Sequence, residues 1–303
     1  MLTIVIPSYN HEKYIYECLS AAAQVEINDL KILVIDDGST DKTPDVVKSF
    51  IDEHQSIDIR LVEKENAGLV SSLNLALELV DTDYIYICAS DDIPIPAGVK
   101  KCYDFLIKNK VLEFCIGGSN NFNIFNSKVC ETYNRQHVDF FNTDFTKDES
   151  ALFLDFPVPL LLQSTVFRKS ALESIGGWDP EIKWDDYPTF VKLLRVYSGK
   201  DKRGFVFLSN VTVVNYRQHD KNTYLDIVNQ FFMVKQAMTK LASSEIRDNC
   251  LAMHAAKYMI SSIKRFDFKS FFNIFGLCEL NVKVKIPYFF LIVIFRKLKR
   301  KLN

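Results

Sequence analysis

Over the first hundred residues, short apolar runs rich in β-branched side chains alternate with stretches whose apolar positions recur at helical spacing. The runs 3–6, 31–35, 57–62 and 84–88 read as strands, and 14–23, 44–53 and 69–79 read as the helices between them. Strands that are apolar on both faces and separated by helices imply a parallel sheet covered on each side. From about 111 to 163 the pattern weakens and Asn, Phe and Asp become frequent. This middle stretch is expected to be irregular, with some strands and a loop around 120–126. Regular patterning resumes at 163–167 and 169–175 and breaks at Gly176-Gly177. Pro188 fits the first turn of a helix over 189–197, where a missing N–H costs little. Beyond about 221 the spacing is helical to the end, and no internal repeat is visible.

Composition narrows the class. Apolar residues make up 48% and charged residues 25% of 303 positions, so a sizeable core is expected and disorder is not. A net charge of −1 offers no global field for nucleic acid. The seven cysteines are scattered without a CxxC pair, which suits reduced, mostly buried thiols. Met1 runs directly into Leu2-Thr3-Ile4-Val5-Ile6 without a basic, apolar leader, so the chain is expected to stay cytoplasmic.

Polar clusters fall at the carboxyl ends of the strands, where open parallel sheets bind ligands. They are Pro7-Ser8-Tyr9-Asn10, Asp36-Asp37-Gly38-Ser39-Thr40-Asp41, Asn66-Ala67-Gly68 and Ser90-Asp91-Asp92. Each alone suits a turn or a helix cap. Together they crowd carboxylates at one edge, which repel unless they share a cation or a ligand. No GxGxxG follows the first strand and no GxxxxGK[ST] occurs, which removes nicotinamide, flavin and P-loop sites. The Ile32–Asp37 run looks like the start of a phospho-receiver domain, but the motifs continue far beyond such a domain's length.

These clusters, in this order, resemble the inverting glycosyltransferases of family 2, of the GT-A fold. The resemblance covers roughly 2–223. It continues through Asn74, Pro96, Gly176-Gly177-Trp178-Asp179, Asp185-Asp186 and Tyr216-Arg217-Gln218-His219-Asp220-Lys221-Asn222. It implies an α/β domain over 1–220 with a Rossmann-like, mostly parallel sheet, followed by a helical extension over 221–303. The nucleotide-sugar half would be about 1–110 and the acceptor half about 111–220. By the resemblance, Pro7, Ser8 and Tyr9 line the base, Asp37 accepts a uracil N–H, and Asn66 and Gly68 border the nucleotide. Asp91, five residues before Pro96, takes the metal position of an Asp-x-Asp motif whose first acid is here Ala89. Asp92 and His219 join Asp91 as metal candidates. Asp186 is the implied base and Asp185 its neighbour.

The implied chemistry is transfer from a UDP-sugar to an acceptor hydroxyl, by a hexosyl- or N-acetylhexosaminyltransferase. Mn²⁺ or Mg²⁺ would neutralise the leaving diphosphate and Asp186 would take the acceptor's proton. The position of Asp186 ahead of the helix over 189–197 should favour its ionised form. The acceptor implied is a saccharide or lipid-linked saccharide of a bacterial capsule, O-antigen or exopolysaccharide. The C-terminal tail adds Phe271, Phe272, Phe275, an apolar run at 286–295, and then Arg296-Lys297-Leu298-Lys299-Arg300-Lys301. Ten apolar residues are too few for a bilayer of ~30 Å. They suit either a core-packing helix or an anchor on the anionic inner face of the cell membrane. A competing reading is a degenerate subunit that binds sugar nucleotides without turnover, for which Ala89 is the support.

Overall fold

The computed structural model describes residues 1–125, 128–154, 156–219 and 226–302. Asp220, Lys221 and Asn222 of the motif, Asn126 of the expected loop, and the side chains from Arg296 onward lie outside the described ones. The chain divides into two compact units, one of residues 1–147 and 157–219, the other of 148–156 and 220–303.

The first unit begins with three βα repeats. They run β1 (Leu2–Ser8), α1 (Ile15–Ala23), β2 (Lys31–Asp36), α2 (Thr43–Glu53), β3 (Asp58–Glu63) and α3 (Leu69–Leu79), and β4 (Tyr84–Ile87) follows. β1, β2 and β4 are buried along nearly their whole length, as the doubly apolar runs require. β3 alternates between exposed and half-buried positions because it lies at the sheet edge. Ile4, Ile6, Val34 and Tyr86 pack with Leu19 and Phe50 of the helices into one apolar cluster.

Next come β5 (Ile93–Pro94), α4 (Pro96–Lys108), β6 (Phe114–Asn123), β7 (Lys128–Glu131) and α5 (Arg135–Phe141). α6 (Ser150–Leu154) falls in the second unit. A 3-10 turn (Leu162–Ser164) then leads to β8 (Thr165–Arg168), α7 (Lys169–Ser174), α8 (Asp186–Tyr197) and β9 (Phe205–Gln218). Among the described residues the sheet has nine strands in the order β3-β2-β1-β4-β8-β6-β9-β5, with β7 on β6. The β1–β4 half is parallel, whereas β8 is antiparallel to both β4 and β6. The sheet is therefore mixed, and β6 and β9 point the same way as β4.

Two elements, β6 and α8, differ from the sequence expectation, and a third, β9, has no counterpart in it. Asn120–Asn123 belong to β6, paired on one side with β7 and on the other with β9. The amide side chains of Asn120, Asn121 and Asn123 are poor strand formers, and the pairing on both sides overrides that preference. β9 spans fourteen residues in a stretch that shows little alternation, because register shifts at Gly117 and Gly118 break its regular facing with β6. α8 begins at Asp186, three residues before the helix expected from spacing, with Pro188 in its first turn.

The second unit contains α9 (Ile227–Leu241), α10 (Ser244–Lys264), α11 (Phe268–Leu277), α12 (Leu280–Lys283) and α13 (Ile286–Leu302). Ile286, Phe289 and Val293 of α13 are buried, a spacing that puts them on one helical face. On other positions of α11 and α13, Phe268, Phe272, Phe275, Tyr288, Leu291 and Phe295 are exposed. Among the described residues no helix is long and apolar enough to cross a membrane.

Candidate active site

Because β4 and β9 run in the same direction, the turn after β4 and the residues ending β9 meet at one sheet edge. Asp91 Oδ2 lies 3.0 Å from Nε2 of His219, a contact spanning 128 positions of sequence. His11, in the loop after β1, brings its Nε2 to 4.0 Å from the same oxygen. Its Nδ1 is held 2.7 Å from Ser90 Oγ. Burial works against charge on Asp91, but the His219 hydrogen bond and the nearby His11 outweigh it and hold the carboxyl below its ordinary range. The ring of Tyr14 stacks on His219 with centroids 5.2 Å apart, fixing the imidazole plane. Among the described residues, no three or more acidic, histidine or cysteine side chains already surround one point.

Asp92 points inward and is 0% exposed. Its Oδ1 accepts from the backbone N–H of Arg217 at 2.8 Å, and its Oδ2 accepts from Gln163 Nε2 at 2.9 Å. Arg217 also donates to the carbonyl of Asp91 at 2.6 Å and to Glu17 at 2.6 Å. Its guanidinium lies 5.1 Å from the ring centroid of Tyr14 and 5.7 Å from that of Phe122.

The loops after β1, β2 and β3 are tied to each other. Backbone N–H groups of Asn10 and His11 donate to Ser39 Oγ at 2.9 Å and Thr43 Oγ1 at 2.8 Å. In return the N–H of Thr40 donates to Asn10 Oδ1 at 2.8 Å. Asp37 accepts from the N–H groups of Ala67 at 3.0 Å and Gly68 at 2.8 Å, and it pairs with the Lys64 ammonium. Burial pushes its carboxyl up, but Lys64 and these two amides prevail and keep it below its ordinary range. Gly38, at φ 72°, sits where a Cβ would meet the Asn66 nitrogen at 2.9 Å, so only glycine lets these loops approach. Ser8 Oγ is buried and has no hydrogen-bond partner, and Tyr9 beside it is 45% exposed. Pro7 is buried, whereas Asn66 and Gly68 are exposed. Asn74 instead clips Trp178, accepting from its N–H at 3.0 Å and donating to its carbonyl at 2.8 Å.

Asp185 and Asp186 are half-buried at the start of α8. Asp186 Oδ1 accepts from the Leu162 N–H at 2.7 Å. Burial pushes the Asp185 carboxyl up to about 6. Burial, followed by the charges of Asp185 and Asp92, also raises Asp186 well above its ordinary value. The helix N-terminus expected to favour ionisation is thus outweighed by lost hydration and a neighbouring like charge.

The profile of glycosyl transferase family 2 matches residues 3–167, more than half of the chain. The chain belongs to this family. This glycosyltransferase is 31% identical to a chondroitin synthase of Pasteurella multocida over 79% of its own length, but it spans only 23% of that protein. It is 24% identical to a teichoic acid poly(glycerol phosphate) polymerase of Staphylococcus epidermidis, over 82% of this chain and 34% of the relative. Among solved structures, S. aureus TarS 1–349 in complex with UDP-GlcNAc superimposes with a TM-score of 0.61 at 16% identity. That match covers 91% of this chain and 79% of the other. The mannosyltransferase PcManGT of Pyrobaculum calidifontis, in complex with GDP-Man and Mn²⁺, gives 0.59 at 16% identity, covering 95% and 87%. The fold of this glycosyltransferase is accordingly GT-A-like, with a helical C-terminal region.

His11, Lys64, Gln163 and the Glu17–Arg217 pair are contacts that sequence reading did not single out for a role. His11 carried a signal, since it directly follows the first strand-end cluster. Gln163 carried none, because its relation to Asp92 arises only from the antiparallel run of β8.

Proposed function

We propose that this glycosyltransferase moves a sugar from a UDP-sugar to an acceptor hydroxyl with inversion at the anomeric carbon. The observation that carries this reading is the meeting of Asp91 and His219 at 3.0 Å at the sheet edge that also holds Ser8 and Asp37. The buried, partnerless Ser8 hydroxyl and the exposed Tyr9 ring suit a base and ribose. Asp37 would offer a remaining lone pair to a uracil N–H, with Pro7, Asn66 and Gly68 around the nucleotide.

The donor set fits a divalent cation. A carboxylate oxygen and an imidazole suit Mn²⁺ or Mg²⁺, and such ions take much of their coordination from substrate phosphates and water. Asp91 and His219 would hold it. When bound, the cation supplies Lewis-acid neutralisation of the leaving diphosphate. Asp186 receives the proton as the acceptor oxygen bonds to the anomeric carbon. The bond from that carbon to the diphosphate breaks, and UDP departs with its electron pair. A carboxyl raised above its ordinary range is a better proton acceptor than an ordinary one, and the Leu162 N–H occupies only one of its oxygens. Asp185 orients and tunes its neighbour.

The acceptor we propose is a lipid-linked saccharide in surface-polysaccharide synthesis, with the enzyme held at the inner face of the membrane. Support comes from the second unit, where Phe272 (67% exposed), Tyr288 (64%) and Leu291 (71%) stand in solvent. Residues 264–303 carry ten Lys and Arg against Asp267 and Glu279. Aromatic residues with cations suit an anionic interface, where each cation contributes about 1 kcal/mol. The degenerate-subunit reading has Ala89 alone for it, and the paired Asp91 and His219 speak against it.

Thermal-shift titration with UDP, GDP and ADP, with and without Mn²⁺, tests the donor reading. UDP should raise the melting temperature most, and more so with Mn²⁺. Equal shifts for all three nucleotides, or none, would overturn it.

A further inference from the structure

Asp92 adjoins the cation-facing Asp91, yet its surroundings are those of a structural anchor. Each group that donates to it belongs to an element carrying another part of the site. The Arg217 N–H, on Oδ1 at 2.8 Å, lies two residues before His219 at the end of β9. The Gln163 amide, on Oδ2 at 2.9 Å, adjoins Leu162, whose N–H donates to Asp186 Oδ1 at 2.7 Å. The 3-10 turn that bears both donors is itself pinned. Tyr133 Oη lies 2.7 Å from Ser164 Oγ and accepts from the Leu161 N–H at 3.0 Å. Each oxygen of the Asp92 carboxylate therefore accepts from a protein donor, and no face of it meets solvent. A cation could reach either oxygen only by displacing this buried packing, and turning the carboxylate toward one would leave the Arg217 and Gln163 donors without a partner, a costly arrangement.

We propose that Asp92 and Gln163 form a clasp that sets the spacing between the Asp91–His219 pair and Asp186, and that Asp92 is not a cation ligand. This rests on the roles given above to Asp91, His219 and Asp186. Gln163 is a positioning residue in this scheme: it touches neither donor nor acceptor, and acts by keeping the base-bearing and cation-bearing turns in register. Displacements near 1 Å of such groups are enough to lower turnover markedly.

Asp92→Asn separates the two roles. An asparagine in place of Asp92 keeps the oxygen for the Arg217 N–H, and the Gln163 amide can turn over to accept from its NH₂ group. The clasp survives while the charge is lost. Mn²⁺ binding in the presence of UDP, followed by electron paramagnetic resonance, should then change less than about threefold, whereas Asp91→Asn should weaken it at least tenfold. Gln163→Leu removes the clasp with little change in volume. It should lower kcat for UDP release from UDP-glucose or UDP-N-acetylglucosamine at least tenfold, with donor KM and Mn²⁺ affinity altered less than threefold. Global damage would instead move all three, together with the melting temperature. Should the leucine variant not fold, Gln163→Asn keeps the amide but cannot reach Asp92, and the same split is expected. Loss of Mn²⁺ affinity in Asp92→Asn as large as in Asp91→Asn overturns the clasp. So does wild-type kcat in a folded Gln163 variant. If wild-type protein binds no Mn²⁺, the cation reading fails, and the turnover of the Gln163 variants decides the clasp on its own.

Discussion

Replacing Asp185 with asparagine tests the carboxylate pair through stability and rate together. The Asp185 carboxyl is raised by burial from 3.8 to about 6. At 1.36 kcal/mol per pKa unit, keeping it ionised in the folded state costs up to about 3 kcal/mol. The sign follows from proton counting. Between the unfolded value near 3.8 and the folded value near 6 the native protein binds the extra proton, so this group lowers stability as pH rises through that window. Below pH 4 both states are protonated and the penalty vanishes. Asp185→Asn should therefore match wild type at low pH and exceed it by as much as ~3 kcal/mol at pH 8, read from urea midpoints at a series of pH values. The Asp185 charge also contributes to raising Asp186. Its removal should shift the acid limb of the rate profile to lower pH while donor binding persists. A stability difference that is the same at pH 4 and pH 8, or an acid limb that does not move, would refute the assignment of a strained pair.

Asp186→Asn should lower transfer ~10²–10⁴-fold with UDP-sugar binding retained, since general-base catalysis is worth about that much; calorimetry and initial rates separate the two effects. If Asp185→Asn proves the more damaging change, the two roles are exchanged. Asp91→Ala should abolish turnover and erase the effect of Mn²⁺ on UDP affinity, and full activity in excess EDTA would exclude the cation role. For the second unit, the combined change Phe272→Ser, Tyr288→Ser and Leu291→Ser should move the protein from anionic vesicles to the supernatant in sedimentation. Retention on vesicles of phosphatidylglycerol at low and high salt alike would count against the membrane face.

The parallel half of the fold was legible because β1, β2 and β4 are buried on both faces, which leaves an uninterrupted apolar signature between amphipathic helices. β6 and β9 were not, since Asn120, Asn121 and Asn123 lack strand propensity and the shifts at Gly117 and Gly118 spoil alternation. Their pairing with each other joins residues more than ninety positions apart, which no local window contains. The same distinction holds for the site. Asp37, Asp91 and Asp186 sit at strand ends and a helix start, positions that local pattern locates. Lys64 on Asp37, Gln163 on Asp92 and Glu17 on Arg217 are long-range contacts, and only the folded sheet brings them together. The raised carboxyls of Asp185 and Asp186 were likewise hidden, because the sequence shows the helix N-terminus but not the depth of burial that outweighs it.

The ties among the loops after β1, β2 and β3 bear on how donor affinity arises. Asn10 donates to Ser39 and accepts from Thr40 across two loops, and Asp37 grips the backbone of a third. Loops that close only around a ligand lose conformational entropy at that moment, roughly 1–2 kcal/mol for each residue fixed. Here most of that ordering is complete when the domain folds, so a nucleotide meets a surface already in shape and more of its contact energy appears as affinity. Hydrogen exchange at the Ala67 and Gly68 amides should accordingly be slow in the free enzyme and change little when UDP is added.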